Sequence, residues 1–456
     1  MSKEKCTIHS LDSVWTEIDP ITYSVLNNLM SYEYDVWLRS RWGRTKKKGV
    51  KRLLNKFSDQ SYMMLTGYVD KCLDFLLRYE IPYEYSSDIK LLKYDEPHID
   101  GITIRPYQDS LINNALEFGR GVIQAPTGSG KSIIIIGIMS AFSQENILFL
   151  VHTTDLVYQM KAHLEKYNMP CGVWTGKDKY LNRITVATVQ AYKRIAREHS
   201  NLWDVIIIDE GHHVTSHTKG NYYEALSVSA APCKLAFTAT MPEKVEAKWA
   251  LEGLIGPKIG ELTMAEGTEL GFLATPIIKM IGLESPVRMW GITDYNQAYN
   301  LGIVKNSTRN SHIAAEAELE MEKGGTVLIL VTRIAHANEI QKNIKFHTEI
   351  IKGAVSKNER ERIKSELKSG EIGCVIATVA WCEGVDIPNL TCVINAGGGK
   401  SEIQILQKIG RGLRKTKNKD SVLIVDFMDR GNKHLEKHSR TRKEVYGSQG
   451  WEVKND

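Results

Sequence analysis

The sequence has 456 residues, of which 42% are hydrophobic and 25% are charged. These values match ordinary globular domains and exclude a wholly disordered chain, a collagen-like polymer and a mini-protein that depends on disulfides. Lysine and arginine exceed aspartate and glutamate by only 5 residues, which by itself indicates no particular partner.

The cysteine pattern and the lack of long apolar runs favour a protein of a reducing compartment. Seven cysteines are scattered along the chain, and none forms a CxxC pair. The N-terminus lacks the charged, apolar and small-residue order of a signal peptide, and no apolar run reaches the ~18 residues needed to cross a bilayer. We therefore expect a soluble cytosolic protein with free thiols.

Positive charge is concentrated near the N-terminus. Residues 36–58 contain no acidic residue and nine basic ones: Arg39, Arg41, Arg44, Lys46, Lys47, Lys48, Lys51, Arg52 and Lys56. Aromatic side chains lie among them, and such a mixture can hold phosphates and stack on bases. The residues predicted to contact nucleic acid are Arg39, Arg41, Trp42, Arg44, Lys46 and Lys47. The alternative is an amphipathic segment with a solvated basic face.

A helix is predicted near residues 68–79, because apolar residues from Val69 to Leu77 recur at i, i+3, i+4, i+7 and i+8. This helix should end before Pro82, since the residue preceding a proline avoids the helical conformation. The polar residues 95–98 then predict a linker to the rest of the chain.

From about residue 100 onward, short apolar runs alternate with helical patterns. The runs that predict buried strands are residues 122–123, 147–151, 184–187, 205–208 and 235–237, then 277–281, 326–331, 374–377, 392–394 and 422–425. Such runs are typical of parallel sheets, whose crossovers are usually helices. We predict an α/β fold with two parallel-sheet domains, at residues 96–272 and 273–456, preceded by a separate N-terminal region at residues 1–95.

A phosphate-binding loop is predicted at residues 125–132 (APTGSGKS), between a strand and an apolar helical stretch. Backbone N–H groups of such a loop surround a phosphate chain, and the helix N-terminus adds positive potential. Lys131 would contact the β- and γ-phosphates, and Ser132 would hold Mg²⁺. The loop residues themselves are Thr127, Gly128, Ser129 and Gly130. Ala125 replaces the usual first glycine, and a purely structural turn is the alternative.

Two carboxylates, Asp209 and Glu210, directly follow the predicted strand 205–208. Catalytic groups of open α/β sheets gather at this edge. Asp209 could bind Mg²⁺ through water, and Glu210 could orient and deprotonate the attacking water. Helix capping is one alternative. A zinc site is another, although no HExxH order accompanies the histidines His212, His213 and His217.

Taken in order, these motifs resemble those of superfamily 2 helicases of the DExH type. The resemblance covers about residues 100–430 and adds RPYQ, LVHTT, WTG, VAT and FTATMP to the two motifs above. It implies that Arg105 and Gln108 recognise the adenine base of ATP. It further implies contacts to the DNA backbone by Thr153, Gly176 and Thr188. The residues implied to couple hydrolysis to movement are His212, Thr238 and Thr240.

The second half carries the corresponding motifs LVTR, AT, EGVDIP and QKIGRGLR. The resemblance implies nucleic-acid contacts by Arg333 and Thr378, nucleotide contacts by Gly384 and Asp386, and an arginine-finger motif containing Gln407, Arg411 and Arg414. Transfer of a γ-phosphoryl group spreads negative charge over its oxygens, so cations must approach from more than one side. The ATP site would therefore form only when the two domains close. A solvated basic helix is the alternative for the two arginines.

Residues 65–84, 395–414 and 446–451 are similar to UvsW-like phage helicases and their XPB relatives. The resemblance implies two RecA-like domains preceded by a small α+β DNA-recognition domain at residues 1–95, with ATP and Mg²⁺ as cofactors. It further implies 3′ to 5′ branch migration or unwinding of forks and four-way junctions. It also implies a monomer acting in phage DNA replication, recombination or repair in the host cytoplasm. The alternatives are an RNA helicase, a duplex translocase that does not unwind, and a nucleic-acid-binding protein with an inactive ATPase.

Overall fold

The computed structural model describes all residues except 1–4, 20–27, 29, 41–42, 59–60, 285–288, 290, 352–356, 379–388, 401–409, 411, 414, 416–418 and 456. It describes only the backbone of residues 37–40, 43–44, 357–358, 360–361, 364, 368 and 455. The chain forms two compact units. The first unit holds residues 1–125 and 130–261, and the second unit holds residues 126–129 and 262–456. No helix in the described part of the chain is long and apolar enough to cross a membrane.

The described residues before position 96 include seven strands and one helix. They are β1 (Cys6–Ser10), β2 (Trp15–Asp19), β3 (Ser31–Ser40), β4 (Gly43–Arg52), β5 (Asn55–Lys56), β6 (Tyr62–Leu65), α1 (Val69–Arg78) and β7 (Tyr83–Ser87). Five strands form a sheet in the order β5-β6-β2-β1-β7, whereas β3 and β4 form a separate hairpin. The predicted helix is confirmed as α1, but Leu77 is 60% exposed because the apolar pattern is wider than the face that α1 buries.

The first parallel sheet has eight strands in the order β11-β10-β12-β9-β13-β14-β8-β15, and only the β10–β11 pair is antiparallel. They are β8 (Arg120–Gln124), β9 (Ile147–Val151), β10 (Cys171–Trp174), β11 (Lys179–Tyr180), β12 (Ile184–Thr188), β13 (Val205–Ile208), β14 (Cys233–Thr238) and β15 (Lys258–Glu261). The helices are α2 (Pro106–Phe118), α3 (Lys131–Ala141), α4 (Thr154–Lys166), α5 (Val189–Tyr192), α6 (Asn221–Leu226) and α7 (Val245–Leu254). All five predicted strands are present, and the central ones are buried along their whole length.

The second parallel sheet has seven strands in the order β18-β19-β17-β20-β21-β16-β22. They are β16 (Thr275–Leu283), β17 (Thr326–Val331), β18 (Thr348–Ile351), β19 (Cys374–Thr378), β20 (Leu390–Ile394), β21 (Ser421–Asp429) and β22 (Val453–Asn455). The helices are α8 (Met264–Glu269), α9 (Tyr295–Tyr299), α10 (Ser307–Glu322), α11 (Ile334–Gln341), α12 (Lys357–Ser369) and α13 (Lys433–Ser448). The predicted α/β architecture with two parallel sheets is thus confirmed.

The N-terminal strands share one apolar core with the first parallel sheet. At Gly67 a Cβ atom would lie 2.0 Å from the carbonyl oxygen of Glu252, so only glycine allows this approach to α7. Two basic side chains tie the two parts together, because Arg120 and Lys234 both donate to the carbonyl oxygen of Ser13. Residues 1–95 therefore pack as part of the first unit, and the predicted boundaries near residues 95 and 272 stay predictions.

Candidate active site

The predicted phosphate-binding loop connects β8 to α3, at the carboxyl edge of the first parallel sheet. Gly128 and Gly130 have φ angles of 91° and 78°, which side chains larger than hydrogen rarely adopt. The hydroxyl of Ser129 donates to the carbonyl oxygen of Pro126 at 2.8 Å and fixes the turn. A loop of this shape before a helix N-terminus can receive phosphate oxygens.

The predicted adenine-reading residues lie at the start of α2. The backbone N–H of Arg105 donates to Oε1 of Gln108 at 3.1 Å, which caps the helix. Gln108 is buried, and a Cβ atom added at Gly130 would lie 2.6 Å from its Nε2. The amide of Gln108 thus lies beside the end of the phosphate loop, whereas the side chain of Arg105 is exposed.

The carboxylate pair follows β13 on the same sheet edge. Nζ of Lys131 lies 3.9 Å from Oε1 of Glu210, so the lysine and the carboxylate face each other across the site. Glu210 has φ 53° and ψ 54°, a left-handed conformation that costs energy in a residue other than glycine and is typical of functional sites. Burial, and then the neighbouring Glu210, raise the pKa of Asp209. This edge therefore concentrates negative charge beside one ammonium group.

These residues fit a nucleotide and its Mg²⁺. Nζ of Lys131 is buried without a hydrogen-bond acceptor among the residues that the structure describes, as expected for a group that binds phosphate. Ser132 and Asp209 would hold the ion, which would neutralise charge on the phosphates. Glu210, held next to Lys131, can accept a proton from water.

A chain of contacts leads from the carboxylates to the end of β14. Nδ1 of His212 lies 3.3 Å from Oε2 of Glu210 and 3.2 Å from Oγ1 of Thr238. The hydroxyl of Thr238 donates to the carbonyl oxygen of Thr240 at 2.7 Å. The structure thus brings together the three residues predicted to couple hydrolysis to movement.

The backbone-contact residues predicted in the first unit lie at strand and helix ends. Thr153 caps α4 by accepting a hydrogen bond from the N–H of Leu156, and Thr188 is the residue before α5. Gly176 lies in the turn after β10, and a Cβ atom added there would have no neighbouring atom within 4 Å. All three belong to the carboxyl edge of the sheet, where parallel strands present their ligand-binding loops.

Of the predicted residues of the second unit, Arg333 and Thr378 are described. Arg333 precedes α11, stacks at 4.7 Å over the ring of Tyr299 and donates to Asn296. Thr378 ends β19. The remaining predicted residues lie outside the described part of the chain: Gly384, Asp386, Gln407, Arg411 and Arg414.

The basic N-terminal block forms the β3–β4 hairpin, with Ser31 paired to Arg52 at its base and Ser40 to Gly43 near its tip. Lys46 forms an ion pair with Asp35 at 2.8 Å, so acidic residues of β3 offset part of the charge of β4. Lys47 is exposed and has no ion-pair partner among the described residues. The side chains of Arg39 and Arg44, and the whole of Arg41 and Trp42, lie outside the described residues.

The sequence did not predict how this hairpin attaches to the first parallel sheet. Tyr32, near the base of β3, stacks on Trp249 of α7 with ring centroids 6.1 Å apart, and it also contacts His217. Nζ of Lys71 lies 3.9 Å from the centroid of the same indole. Because α7 follows the β14 end that carries Thr238, the hairpin is fixed to the helix next to the coupling residues. This attachment could not be predicted from the sequence, because the aromatic residues that form it lie far apart along the chain.

Two family models match the chain. The model described as "Type III restriction enzyme, res subunit" matches residues 101–243, and the model described as "Helicase conserved C-terminal domain" matches residues 310–416. Together they cover more than half of the chain. The first match contains the phosphate loop and the carboxylate pair, and the second contains the arginine-rich motif.

Several known proteins are similar to this chain in sequence. A DNA 3'-5' translocase XPB2 of Sulfurisphaera tokodaii is 28% identical over 71% of this chain and 81% of its own length. A putative helicase of the Sulfolobus islandicus filamentous virus is 26% identical over 74% of this chain, but that match spans only 66% of the viral protein.

Among solved structures, a fragment of a putative HsdR subunit of a type I restriction enzyme from Vibrio vulnificus has a TM-score of 0.59 at 15% identity, covering 94% of this chain and 92% of its own. The crystal structure of T4 UvsW covers 99% of both chains at 20% identity with a TM-score of 0.46. The matched domains and the XPB-type relatives identify the chain as a member of the superfamily 2 helicases, ATP-dependent enzymes, and relate it to XPB.

Proposed function

We propose that the protein is an ATP-dependent DNA helicase or translocase that moves 3′ to 5′ and unwinds or branch-migrates forks and four-way junctions. The chain of contacts from Lys131 through Glu210 and His212 to Thr238 carries this proposal, because it connects a phosphate-binding group to the coupling residues. The DNA-directed names of the XPB-type relatives favour DNA over RNA.

In the proposed mechanism, residues of both predicted RecA-like domains contribute to nucleotide binding. Lys131 contacts the γ-phosphate, Glu210 orients the attacking water, and Ser132 and Asp209 hold Mg²⁺. The second unit contributes Gly384, Asp386, Gln407, Arg411 and Arg414. Domain closure would then be required for hydrolysis, which ties each ATP to one opening and closing cycle.

The proposed grip on DNA has two parts. The motor holds the sugar–phosphate backbone without reading its sequence, through Thr153, Gly176, Thr188, Arg333 and Thr378. The β3–β4 hairpin supplies a stronger hold through its basic residues, and its attachment to α7 through Tyr32 supports a role at branch points. The residues proposed for this hold are Arg39, Arg41, Trp42, Arg44, Lys46 and Lys47.

The proposed setting is DNA replication, recombination or repair by a bacteriophage in its host's cytoplasm, with the enzyme acting as a monomer. The sequence resemblance to UvsW-like phage helicases supports this setting, and the matching helicase of a filamentous virus is consistent with a viral origin. The proposed domain limits are those predicted from the sequence, at residues 1–95, 96–272 and 273–456.

Nucleic-acid specificity tests the proposal directly. We expect single-stranded DNA, forks and four-way junctions to stimulate ATP hydrolysis and labelled forks to be unwound, whereas RNA should stimulate weakly. Lys131→Ala should abolish the stimulated rate. The matched control is Lys258→Ala, which removes an exposed lysine paired with Glu261 on edge strand β15 and should keep that rate.

Each alternative has its own signature in this experiment. Stimulation by RNA alone would indicate an RNA helicase, and stimulation by DNA without release of a fork strand would indicate a non-unwinding translocase. No stimulation by any nucleic acid would indicate a binding protein with an inactive ATPase. Full turnover in Lys131→Ala would overturn the assignment of the phosphate site.

A further inference from the structure

A cleft of about 330 Å³ opens beside the carboxylate pair, in the first unit. Its walls come from the segments that follow β9, β12 and β13, three neighbouring strands of the first parallel sheet. The lining residues that matter here are His152, Gln190, His213, Lys219, Tyr222 and Tyr223. The cleft thus lies at the carboxyl edge of the sheet, between the residues that follow Thr188 and those that follow Glu210.

The lining combines a cation with aromatic surfaces. The rings of His152 and His213 lie 4.1 Å apart, and Tyr223 adds a third aromatic side chain. Lys219 is exposed and makes no ion pair with any described residue. The side-chain amide of Gln190 holds the carbonyl oxygen of His152 at 3.1 Å and keeps the wall in place. A nucleotide matches this lining, because its phosphate can pair with Lys219 and its base can stack on the aromatic rings.

The floor of the cleft connects it to the carboxylates. Tyr222 is only 7% exposed, and its hydroxyl has no hydrogen-bond partner among the described residues. Burial, followed by the charges of Asp209 and Glu210, raises the pKa of Tyr222, so this phenol lies within electrostatic reach of both carboxylates. A buried hydroxyl without a partner is unfavourable unless a ligand or a conformational change supplies one.

We propose that this cleft is a subsite for one nucleotide of the bound DNA strand and that Tyr222 positions the carboxylates in response to its occupancy. The phosphate binds Lys219, and the base stacks against the His152–His213 pair and Tyr223. The inference rests on the proposed function, since it assumes that DNA stimulates ATP hydrolysis. It adds a contact contributed by residues 213–223 to those expected at Thr153 and Thr188.

Two variants separate DNA binding at the cleft from the effect of the bound DNA on ATP hydrolysis. Lys219→Ala should raise the single-stranded DNA concentration for half-maximal ATPase stimulation about fivefold and lower the salt slope of DNA binding by about 0.7, the value for one lost phosphate contact. Tyr222→Phe keeps the ring and should leave this concentration within about twofold, while the maximal stimulated rate falls about fivefold. Because each variant changes a different parameter, the DNA concentration for half-maximal stimulation or the maximal rate, the results distinguish these roles from a general loss of structure.

A cross-linking experiment tests the base contact without relying on activity. An oligonucleotide containing 5-iododeoxyuridine, irradiated on the full chain, should attach to a peptide within residues 213–223, and Tyr223→Ala should remove that product. Cross-links found only elsewhere would overturn the subsite. The Lys258→Ala protein serves as the control in all assays, because its lysine lies on edge strand β15 rather than at the cleft.

The outcomes also separate this inference from the proposed function. If DNA does not stimulate the unaltered protein, the proposed function fails. If DNA stimulates it and Lys219→Ala retains the wild-type salt slope, the subsite is wrong while the helicase assignment stands. If Tyr222→Phe changes neither parameter, the positioning role of Tyr222 is wrong.

Discussion

At the scale of single residues, the second unit contains a buried ion pair between Arg442 of α13 and Asp426 of β21. Nε of Arg442 donates to Oδ2 of Asp426 at 2.9 Å, and the hydroxyl of Tyr446 donates to the same carboxylate. Burial opposes ionisation of Asp426, but the guanidinium of Arg442 and these hydrogen bonds outweigh it and hold the pKa of the carboxyl below its usual value. Both charges are at most 1% exposed, so neither can be hydrated if its partner is removed.

We therefore expect Arg442→Met to lower the free energy of unfolding of the second unit by about 3–5 kcal/mol, because it leaves a buried carboxylate uncompensated. Urea denaturation followed by circular dichroism measures the change. Arg440→Met is the matched control on the same helix, since Arg440 is 67% exposed and pairs with Glu436 at the surface. Equal effects of the two substitutions would contradict the importance of burial.

At the scale of secondary-structure elements, the turn before α1 packs tightly against α7. The hydroxyl of Tyr68 donates to the carbonyl oxygen of Trp249 at 2.7 Å, and Tyr68 is 1% exposed. The amino group of Lys71 pairs with Glu252 at 2.6 Å beside the same indole. These contacts hold the N-terminal strands on the helix next to the coupling residues.

Tyr68→Phe should destabilise the first unit by about 0.5–1.5 kcal/mol, because it removes the hydrogen bond from a buried hydroxyl to the carbonyl oxygen of Trp249. Thermal and urea unfolding of the full chain measure the loss. Tyr79→Phe, at an exposed position just beyond α1, should have little effect. A null result for Tyr68→Phe would show that the turn is held mainly by apolar packing.

The elements themselves were largely predictable from the sequence. Strands such as β9 and β13 are buried on both faces, so their residues are continuously apolar and stand out from the helical patterns. The edge strands β11 and β15 were not predicted, because strands exposed to solvent need no apolar run. Tertiary pairing, rather than local composition, makes them strands.

The site was predictable where function requires fixed spacing along the chain. Lys131, Asp209 and Glu210 belong to short motifs next to strands, and the structure brings them to one edge of the sheet. The positions of Tyr222 and Trp249 were not predictable, because their neighbours come from distant parts of the sequence. The net positive charge of residues 36–58 overestimates the charge available to a partner. Asp35, which directly precedes this segment, pairs with Lys46.

At the scale of the whole molecule, each unit contains a buried neutral histidine. In the first unit, burial and the nearby Lys51 lower the pKa of His217 to about 4. In the second unit, burial and the guanidinium of Arg309 lower the pKa of His336 to about 3. Both values lie below the unfolded value of 6.5, so the unfolded chain binds more protons as the pH falls. The stability present above pH 6.5 is therefore lost progressively below it.

Between pH 7.5 and pH 5.0, each of these histidines should remove about 2 kcal/mol from the free energy of unfolding of its unit. His336→Gln should reduce the acid sensitivity of the second unit, which urea titrations at the two pH values would measure. His347→Gln, whose ring is 72% exposed, should leave the pH dependence as it is. The same pH dependence in His336→Gln and the unaltered chain would contradict this account.

The shared core of the first unit has a practical consequence for dissecting the enzyme. A fragment that starts near residue 96 would lack the Ser13 carbonyl that accepts from both Arg120 and Lys234, leaving these two basic side chains without that acceptor. It would also bare the apolar surface on which α1 and the N-terminal strands rest, which favours aggregation. Inactivity of such a truncation would report misfolding of the motor, so the contribution of the hairpin to DNA recognition has to be measured by point substitutions in the intact chain.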